Sequence, residues 1–259
     1  MLRATDIRVA LAGAPVLNGT TFTAEAGQIT AIVGPNGSGK TTLLRAMTQD
    51  LPYTGQITLD RDDIATVPAW KLAMRRAVLP QASRIAFPFT VLEIVRLGLT
   101  GRDAPETRAS EALARVGLAG FEGRFFQELS GGEQQRAQLA RVLVQVWEPV
   151  GPDGPRWLFL DEPVASLDIG HQLEVMDLMA DYAARGGGVV AVMHDLNLTA
   201  IYAASVAMLV GGRVVAQGAP AEVLTDATLS HAYGCALRVN TAPAPPATYL
   251  LPHMARAAG

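Results

Sequence analysis

A glycine-rich segment has the residue types and the spacing that phosphate binding requires. Residues 34–41 read GPNGSGKT and fit the pattern G-x-x-x-x-G-K-[ST], after an apolar run and before a predicted helix. Glycines let consecutive backbone N–H groups point into one concavity, and the amino end of a helix adds partial positive charge. We predict that this phosphate loop binds a nucleotide through Gly34, Pro35, Asn36, Gly37, Ser38, Gly39, Lys40, Thr41 and Thr42.

The polar side chains of the phosphate loop have separate expected roles. Lys40 is one of only two lysines in the chain and is expected to reach the β- and γ-phosphates, while the Thr41 hydroxyl ligates Mg²⁺. Thr42 is expected to donate to the α-phosphate. The alternative interpretation is a glycine turn with a structural role only, which the placement between strand and helix disfavours.

Two carboxylates follow a predicted buried strand. Residues 157–162 read WLFLDE, and an apolar run of this kind is typical of a strand in a parallel sheet. A desolvated carboxylate is costly without a cation, so acids at the carboxyl edge of a sheet indicate a charged ligand. We predict that Asp161 holds Mg²⁺ through water and that Glu162 polarises an attacking water. The alternative is a surface turn with two solvated acids.

A second helix start has the features of an anion site. Residues 129–134 read LSGGEQ, in which Ser130 is the predicted N-cap and Glu133 completes a capping box. Gly131 and Gly132 allow a phosphate to approach the free N–H groups of the first turn. Taken alone, the segment indicates only a well-capped helix.

The elements around these motifs alternate between strand and helix. Strand patterns cover 2–9, 16–25, 28–33, 55–60, 157–160 and 189–193. Helix patterns cover 40–48, 106–117, 130–147 and 171–185, with a further start at the capping box of Thr90 and Glu93. The block 83–146 is mostly helical, 148–156 is a linker rich in proline and glycine, and 242–246 marks a loosely ordered tail. We therefore expect an α/β core with a helical insert.

Composition excludes several classes of protein. The 259 residues are 49% hydrophobic and 17% charged, with a net charge of −3, which excludes disorder and makes nucleic acid an improbable partner because no basic stripe is present. The single cysteine, Cys235, excludes an intrachain disulfide and suits a reducing cytoplasm. No run reaches signal-peptide or membrane-span length. If the protein serves a membrane, we expect it to act from outside the lipid.

The motifs together resemble those of the ATP-binding-cassette ATPases. LSGGEQQR lies between the Walker A segment at 34–41 and the Walker B segment at 157–162, as in that family's signature. Gln81 in AVLPQ resembles the Q-loop, 166–168 (SLD) the D-loop, and His194 after VVAVM the switch histidine. The resemblance runs from about residue 2 to 235 with every motif in family order. It implies a P-loop NTPase (RecA-like) core with an N-terminal antiparallel β subdomain and an inserted α-helical subdomain.

The resemblance also implies how the sites are used. Two copies form a head-to-tail dimer in which ATP and Mg²⁺ lie between the phosphate loop of one and Ser130, Gly131 and Gly132 of the other. Asp168 belongs to the same nucleotide site. Gln81 links Mg²⁺ and the attacking water to the helical insert, and His194 contacts the γ-phosphate. A loop glutamine and a histidine satisfied at a strand end are the alternatives for these two residues.

The implied organisation has four parts and one departure from the family pattern. Residues 1–82 and 147–238 form the ATP-binding core, 83–146 the helical subdomain and 239–259 a tail. Many family members stack an aromatic residue on adenine before the second strand, whereas residues 10–15 read ALAGAP. Leu11 is nearest to that place, so we expect adenine to rest on an aliphatic face.

The size of the chain selects among the family's functions. One cassette without a membrane span fits a peripheral importer ATPase on the cytoplasmic face of the inner membrane. Its implied partners are an integral-membrane permease dimer and, indirectly, a periplasmic substrate-binding protein. A regulatory or repair ATPase that acts away from membranes is the rival class. A nucleotide-binding scaffold without turnover is disfavoured by the intact Glu162 and His194.

The cargo expectation depends on two segments. Residues 85–91 (IAFPFTV) are more apolar than a surface loop should be, and 87–98 resembles the permease-docking segment of ATPases for iron-chelate, cobalamin and haem importers. The insertion 147–156 and the residues DIGHQ at 168–172 resemble the haemin-import branch. We expect haem as cargo, with ferric siderophore or cobalamin as the alternatives.

Overall fold

The computed structural model describes residues 1–81, 85, 87–99, 105 and 107–252. The predictions that touch Ser83, Ala86 and Glu106 lie outside these residues. The strands are β1 (Leu2–Leu11), β2 (Ala14–Ala24), β3 (Ile29–Val33), β4 (Thr54–Leu59), β5 (Asp62–Asp63), β6 (Arg76–Leu79), β7 (Val150–Gly151), β8 (Gly154–Pro155), β9 (Trp157–Asp161), β10 (Gly188–Val192), β11 (Ser205–Val210) and β12 (Arg213–Gly218). The helices are α1 (Lys40–Met47), α2 (Ala69–Arg75), α3 (Val91–Arg96), α4 (Arg108–Arg115), α5 (Gly131–Gln145), α6 (Ile169–Ala184), α7 (Leu196–Tyr202), α8 (Pro220–Val223) and α9 (Asp226–Tyr233).

A six-stranded sheet forms the centre of the molecule, in the order β12-β11-β3-β10-β9-β6. Strands β11, β3, β10, β9 and β6 run parallel, and β12 pairs antiparallel with β11 at one edge. Every residue of β3, β9 and β10 is buried, as expected for strands covered on both faces. The register pairs Val192 with both Ile32 and Asp161, so the carboxyl ends of these three strands lie side by side.

A second, antiparallel sheet packs beside the central one, in the order β2-β1-β4-β5. Its strand β1 alternates buried and exposed residues at Leu2–Ala4 and at Ile7–Val9, the pattern of a sheet with one wet face. The two buried clusters of the protein divide on alternate residues of β9: Trp157 and Phe159 face α1 and the antiparallel sheet, and Leu158 and Leu160 face the helices on the other side. The predicted α/β class, with an antiparallel β part and a helical insert, is confirmed.

Helices α3, α4 and α5 pack against one another to form the helical insert. Two of them begin with complete capping boxes, in which Thr90 and Ser130 accept from the third backbone N–H and Glu93 and Glu133 accept from the N-cap N–H. Both helix starts were predicted from the sequence and are confirmed. Among the helices in the described ranges, none combines the length and apolar character needed to cross a bilayer.

Among the described residues, the predicted strand and helix boundaries lie within two residues of the observed ones, and three differences are informative. Helix α6 begins at Ile169, two residues before the predicted start, because the Asp168 carboxylate accepts from His171 N–H and caps the helix. The predicted linker 148–156 contains the short hairpin β7–β8, since a glycine at φ 108° at position 154 permits the turn. Strands β1 and β2 also extend into the segment 10–15, which leaves Ala12 and Gly13 as the hairpin turn between them.

Candidate nucleotide-binding site

The phosphate loop connects β3 to α1 at the carboxyl edge of the central sheet. Gly34 and Gly39 have φ angles of 149° and 102°, which only glycine adopts without strain. A Cβ on Gly34 would collide with the Leu209 carbonyl oxygen on the neighbouring strand. The glycines therefore allow the chain to turn tightly over the sheet and begin α1 with its free N–H groups facing outward.

Lys40 lies across the mouth of the phosphate loop. Its Nζ donates to the carbonyl oxygens of Gly34 at 2.8 Å and Pro35 at 3.0 Å. Burial lowers the pKa of Lys40, and the charges of Glu162 and Asp161 oppose that shift. The ammonium is held by backbone acceptors at the position where an anion would meet it.

Asp161 lies beside α1 at the end of β9. The Thr41 hydroxyl donates to Asp161 Oδ1 at 3.1 Å. Burial raises the pKa of Asp161, the hydrogen bond from Thr41 opposes the shift, and the neighbouring Glu162 charge adds to it. A buried carboxylate next to a hydroxyl offers the oxygen ligands that Mg²⁺ prefers. The described residues contain no group of three or more His, Cys, Asp or Glu side chains that could hold a metal.

The Glu162 carboxylate of the Walker B segment contacts residues of two further motifs, the Q-loop and the switch histidine. Gln81 Nε2 donates to Glu162 Oε1 at 2.8 Å, and His194 Nε2 lies 2.7 Å from the same oxygen. Glu162 has φ 54°, a left-handed conformation that is uncommon outside glycine and that turns the chain sharply after the strand. Within the described residues, Oε2 has no hydrogen-bond partner, so it is available to a water molecule.

These groups line one open cavity of about 790 Å³. Its walls are formed by Val16, Asn36, Gly37, Gly39, Lys40, Thr41, Thr42, Gln81, Glu162 and His194. The structure thus brings together the phosphate loop, Gln81, Glu162 and His194. Asp161, at the end of β9, is hydrogen-bonded to Thr41 of the same cavity. The volume and the mixture of cation, carboxylate and hydroxyl groups suit a nucleoside triphosphate.

The signature segment does not share this cavity. Ser130, Gly131 and Gly132 line a separate cavity of about 460 Å³, together with Glu133, Arg136, Ser166, Leu167, Asp168 and His171. Within one chain, the predicted nucleotide residues therefore fall into two groups on two cavities.

Several residues in these cavities or in contact with their residues were missed by the sequence analysis. Val16, rather than Leu11, forms the aliphatic wall beside the phosphate loop, because β2 passes over Gly39 and brings Val16 Cγ1 within 3.4 Å of a Cβ placed there. Gln135 Nε2 donates to the Glu162 carbonyl oxygen at 3.3 Å. Arg136 and His171 complete the second cavity. For Val16 the sequence carried no local signal, since packing between segments distant in sequence places it. Gln135 and Arg136 end the LSGGEQQR segment and His171 lies in DIGHQ, but neither pattern gave these three residues a role.

Comparison with known proteins agrees with this geometry. Residues 17–165 match the family model described as ABC transporter. The chain belongs to the ABC transporter family. A relative from Jannaschia sp. (strain CCS1), named hemin import ATP-binding protein HmuV, is 67% identical, and the match covers 100% of this chain and 97% of the relative. A relative with the same name from Roseobacter denitrificans is 59% identical over 98% of both chains.

Solved members of the ABC transporter family share the fold. An ATP-binding subunit of an ABC transporter superposes with a TM-score of 0.75 at 22% identity, covering 91% of this chain and 94% of the other. The cbiO1 protein from Clostridium perfringens superposes with a TM-score of 0.70 at 27% identity, covering 89% and 92%. The P-loop NTPase fold expected from the resemblance is therefore shown.

Proposed function

We propose that this chain is the ATP-hydrolysing subunit of a membrane importer whose cargo is haem. The assignment of haem as the cargo rests on the curated relatives. Eight of them are 51–67% identical to this chain and bear the name hemin import ATP-binding protein. The phosphate loop and the Glu162 cluster support the enzymatic part of the proposal.

In the proposed reaction, Glu162 accepts a proton from the water that attacks the γ-phosphate. Gln81 and His194 both contact Oε1, which fixes the orientation of the carboxylate and leaves Oε2 to meet the water. A general base needs this geometry before its basicity matters. His194 lies at the cavity wall, where it would contact the γ-phosphate once nucleotide is bound, and Lys40 balances phosphate charge from the loop.

Mg²⁺ fits the residues at the base of the cavity. Thr41 and Asp161 would hold it, Asp161 through water, with Gln81 as a further oxygen ligand. When bound, the ion supplies charge stabilisation at the β- and γ-phosphates. The pKa of Asp161 is raised by burial, and a cation at this place would compensate for the lost hydration.

The two separate cavities support a head-to-tail homodimer. Each complete site would combine the phosphate loop of one copy with Ser130, Gly131, Gly132 and Asp168 of the other. Helix α5 presents its first N–H groups in the second cavity, and a helix amino terminus attracts phosphate. One chain alone would then hold two half-sites, so hydrolysis would require association.

The permease would dock on the helical subdomain, at 85–98. Phe87 is 70% exposed and packs edge to face on Phe89, with ring centroids 6.3 Å apart, and Leu97 is 65% exposed. Exposed apolar groups close in sequence to Gln81 suit a partner helix whose movement the nucleotide site must sense.

The ATPase would then lie on the cytoplasmic face of the inner membrane. A periplasmic binding protein would deliver haem from the opposite side of the membrane. The chain would be divided into an ATP-binding core (1–82 and 147–238), a helical subdomain (83–146) and a tail (239–259).

A genetic experiment tests the cargo. An iron-starved strain that lacks this gene is grown on haemin as the sole iron source, with wild type or Lys40→Ala supplied on a plasmid. We expect wild type, and not the variant, to restore growth. Unimpaired growth of the deleted strain on haemin, with loss of siderophore or cobalamin uptake, would overturn the haem assignment and leave the importer ATPase intact.

A further inference from the structure

A histidine to which the motifs gave no role in the nucleotide site contacts the D-loop carboxylate. The backbone N–H of His171 donates to Asp168 Oδ1 at 3.0 Å, and its Nδ1 lies 2.8 Å from both carboxylate oxygens. An ionised carboxylate can only accept, so Nδ1 carries the proton in this contact. His171 thus holds Asp168 by two separate donors, one from the backbone and one from the side chain.

This pair forms part of the cavity of the signature segment. Asp168 and His171 line it together with Ser130, Gly131 and Gly132. A Cβ placed on Gly132 would lie 3.1 Å from the Ser166 carbonyl oxygen and 3.2 Å from Leu167 Cδ2. The D-loop therefore packs directly on the first turn of α5, and its conformation determines the shape of this half-site.

The contact between His171 and Asp168 lies among the charged groups of this cavity. The hydrogen bonds from His171 hold the pKa of Asp168 below its usual range, so Asp168 carries a full negative charge where a phosphate is expected. Glu133 is engaged by the backbone N–H of Ser130. Arg136 is buried, donates to the carbonyl oxygens of Val116 and Gly117, and leaves its Nε without a partner among the described residues. The two His171 donors keep this charge in one position within the cavity.

We propose that His171 is a positioning residue for ATP hydrolysis, which acts by fixing the Asp168 carboxylate and with it the D-loop beside the signature segment. The inference rests on the proposed ATPase function and its head-to-tail dimer, and it adds a residue that neither the phosphate loop nor the signature segment contains. His171 acts through Asp168, on the half-site that receives the nucleotide held by the other copy.

A purely structural role makes a different prediction. If His171 only supports the start of α6, its loss lowers the stability of the chain and leaves turnover per folded molecule unchanged. If it positions Asp168, its loss lowers kcat and weakens the ATP-dependent dimer, while the affinity of one chain for ATP at the phosphate loop is unaffected.

Three variants at this position separate the two roles. His171→Ala removes the side-chain donor, His171→Asn retains an amide nitrogen close to the place of Nδ1, and His171→Gln places one near Nε2 instead. His231→Ala, on α9 and outside both cavities, is the matched control. For each variant we would measure kcat, KM, thermal unfolding and, in a Glu162→Gln background, the ATP concentration needed to form the dimer.

We expect His171→Ala to lower kcat at least about tenfold, since small misplacements in an active site are amplified in the rate. The dimer should need correspondingly more ATP, and the affinity of the single chain should stay within about twofold of wild type. His171→Asn should recover most of the activity. His171→Gln should resemble His171→Ala, and the control His231→Ala should resemble wild type.

Two results would overturn the proposal while wild type remains an active ATPase: an unchanged kcat in His171→Ala, or equal activity of His171→Asn and His171→Gln. The comparison of Asn with Gln decides the matter even if the alanine variant does not fold. A wild-type chain that hydrolyses no ATP would remove the proposed function, and this inference with it.

Discussion

At the scale of single residues, the proposed function gives Lys40 a role in binding and Glu162 a role in hydrolysis. Lys40 is buried against two backbone carbonyl groups, so its charge is fixed before any phosphate arrives. Glu162 is held at one oxygen by Gln81 and His194, so its other oxygen is already oriented. In the proposed reaction the first residue contributes to affinity and the second to rate, and substitutions should separate the two.

Lys40→Ala should weaken ATP binding by about 100-fold, since a charged hydrogen bond contributes about 1.5–3 kcal/mol. The affinity for ATP is measured by the binding of a fluorescent ATP analogue. The other lysine gives a matched control: Lys71 is exposed on α2 beside the Trp70 ring, and Lys71→Ala should bind ATP like wild type. Normal affinity in Lys40→Ala would refute the assignment of the phosphate loop.

Glu162→Gln should bind ATP normally and hydrolyse it about 10²–10⁴-fold more slowly, because the amide keeps the shape of the carboxylate and cannot accept a proton. Gel filtration with Mg²⁺ and ATP should then show the dimer, at twice the monomer mass. Glu148→Gln, at the start of the β7–β8 segment, serves as the control. Wild-type turnover in Glu162→Gln would exclude the role of general base.

At the scale of elements, the helix starts connect stability to the site. The Ser130 backbone N–H donates to Glu133 at 2.7 Å, and this bond holds the pKa of Glu133 below its usual range. A carboxyl whose pKa is lower in the folded chain stabilises it above its unfolded pKa of about 4.3, and the contribution is lost as pH falls through the folded pKa.

Glu133→Gln should therefore flatten the dependence of unfolding free energy on pH in the acid range below about pH 4.3. Urea unfolding at a series of pH values measures the slope. Glu25→Gln, in the exposed loop between β2 and β3, should leave the slope as in wild type. An identical slope in Glu133→Gln would show that the capping bond does not couple to protonation.

The elements also show how far sequence reasoning reaches. Strands β3, β9 and β10 and the capping boxes at Thr90 and Ser130 were predictable, because apolar runs and cap residues are local signals. The hairpin β7–β8 was missed, since proline and glycine indicate a loop whether or not its ends pair. Val16 reaches its cavity through packing of segments distant in sequence, which no local pattern records. His171 lies three residues after Asp168 in DIGHQ, and its contact was missed because that segment was noted only for its resemblance. The site residues could be predicted because they belong to motifs, and their roles stay predictions.

At the scale of the whole molecule, the two cavities predict complementation between subunits. A mixture of Ser130→Arg and Lys40→Ala chains should form mixed dimers that each retain one intact composite site. If one site suffices for turnover, the mixture should recover partial ATPase activity, whereas each variant alone should be inactive. Full activity of Ser130→Arg alone would show that the signature segment does not face nucleotide.

Reconstitution of transport tests the central claim most directly. The chain and its cognate permease are placed in proteoliposomes, with ATP on the side of the ATPase and a panel of haem, ferric siderophore and cobalamin on the other. The account predicts ATP-dependent uptake of haem with wild type and none with Glu162→Gln. Uptake that persists with Glu162→Gln, or that is confined to siderophore or cobalamin, would contradict it.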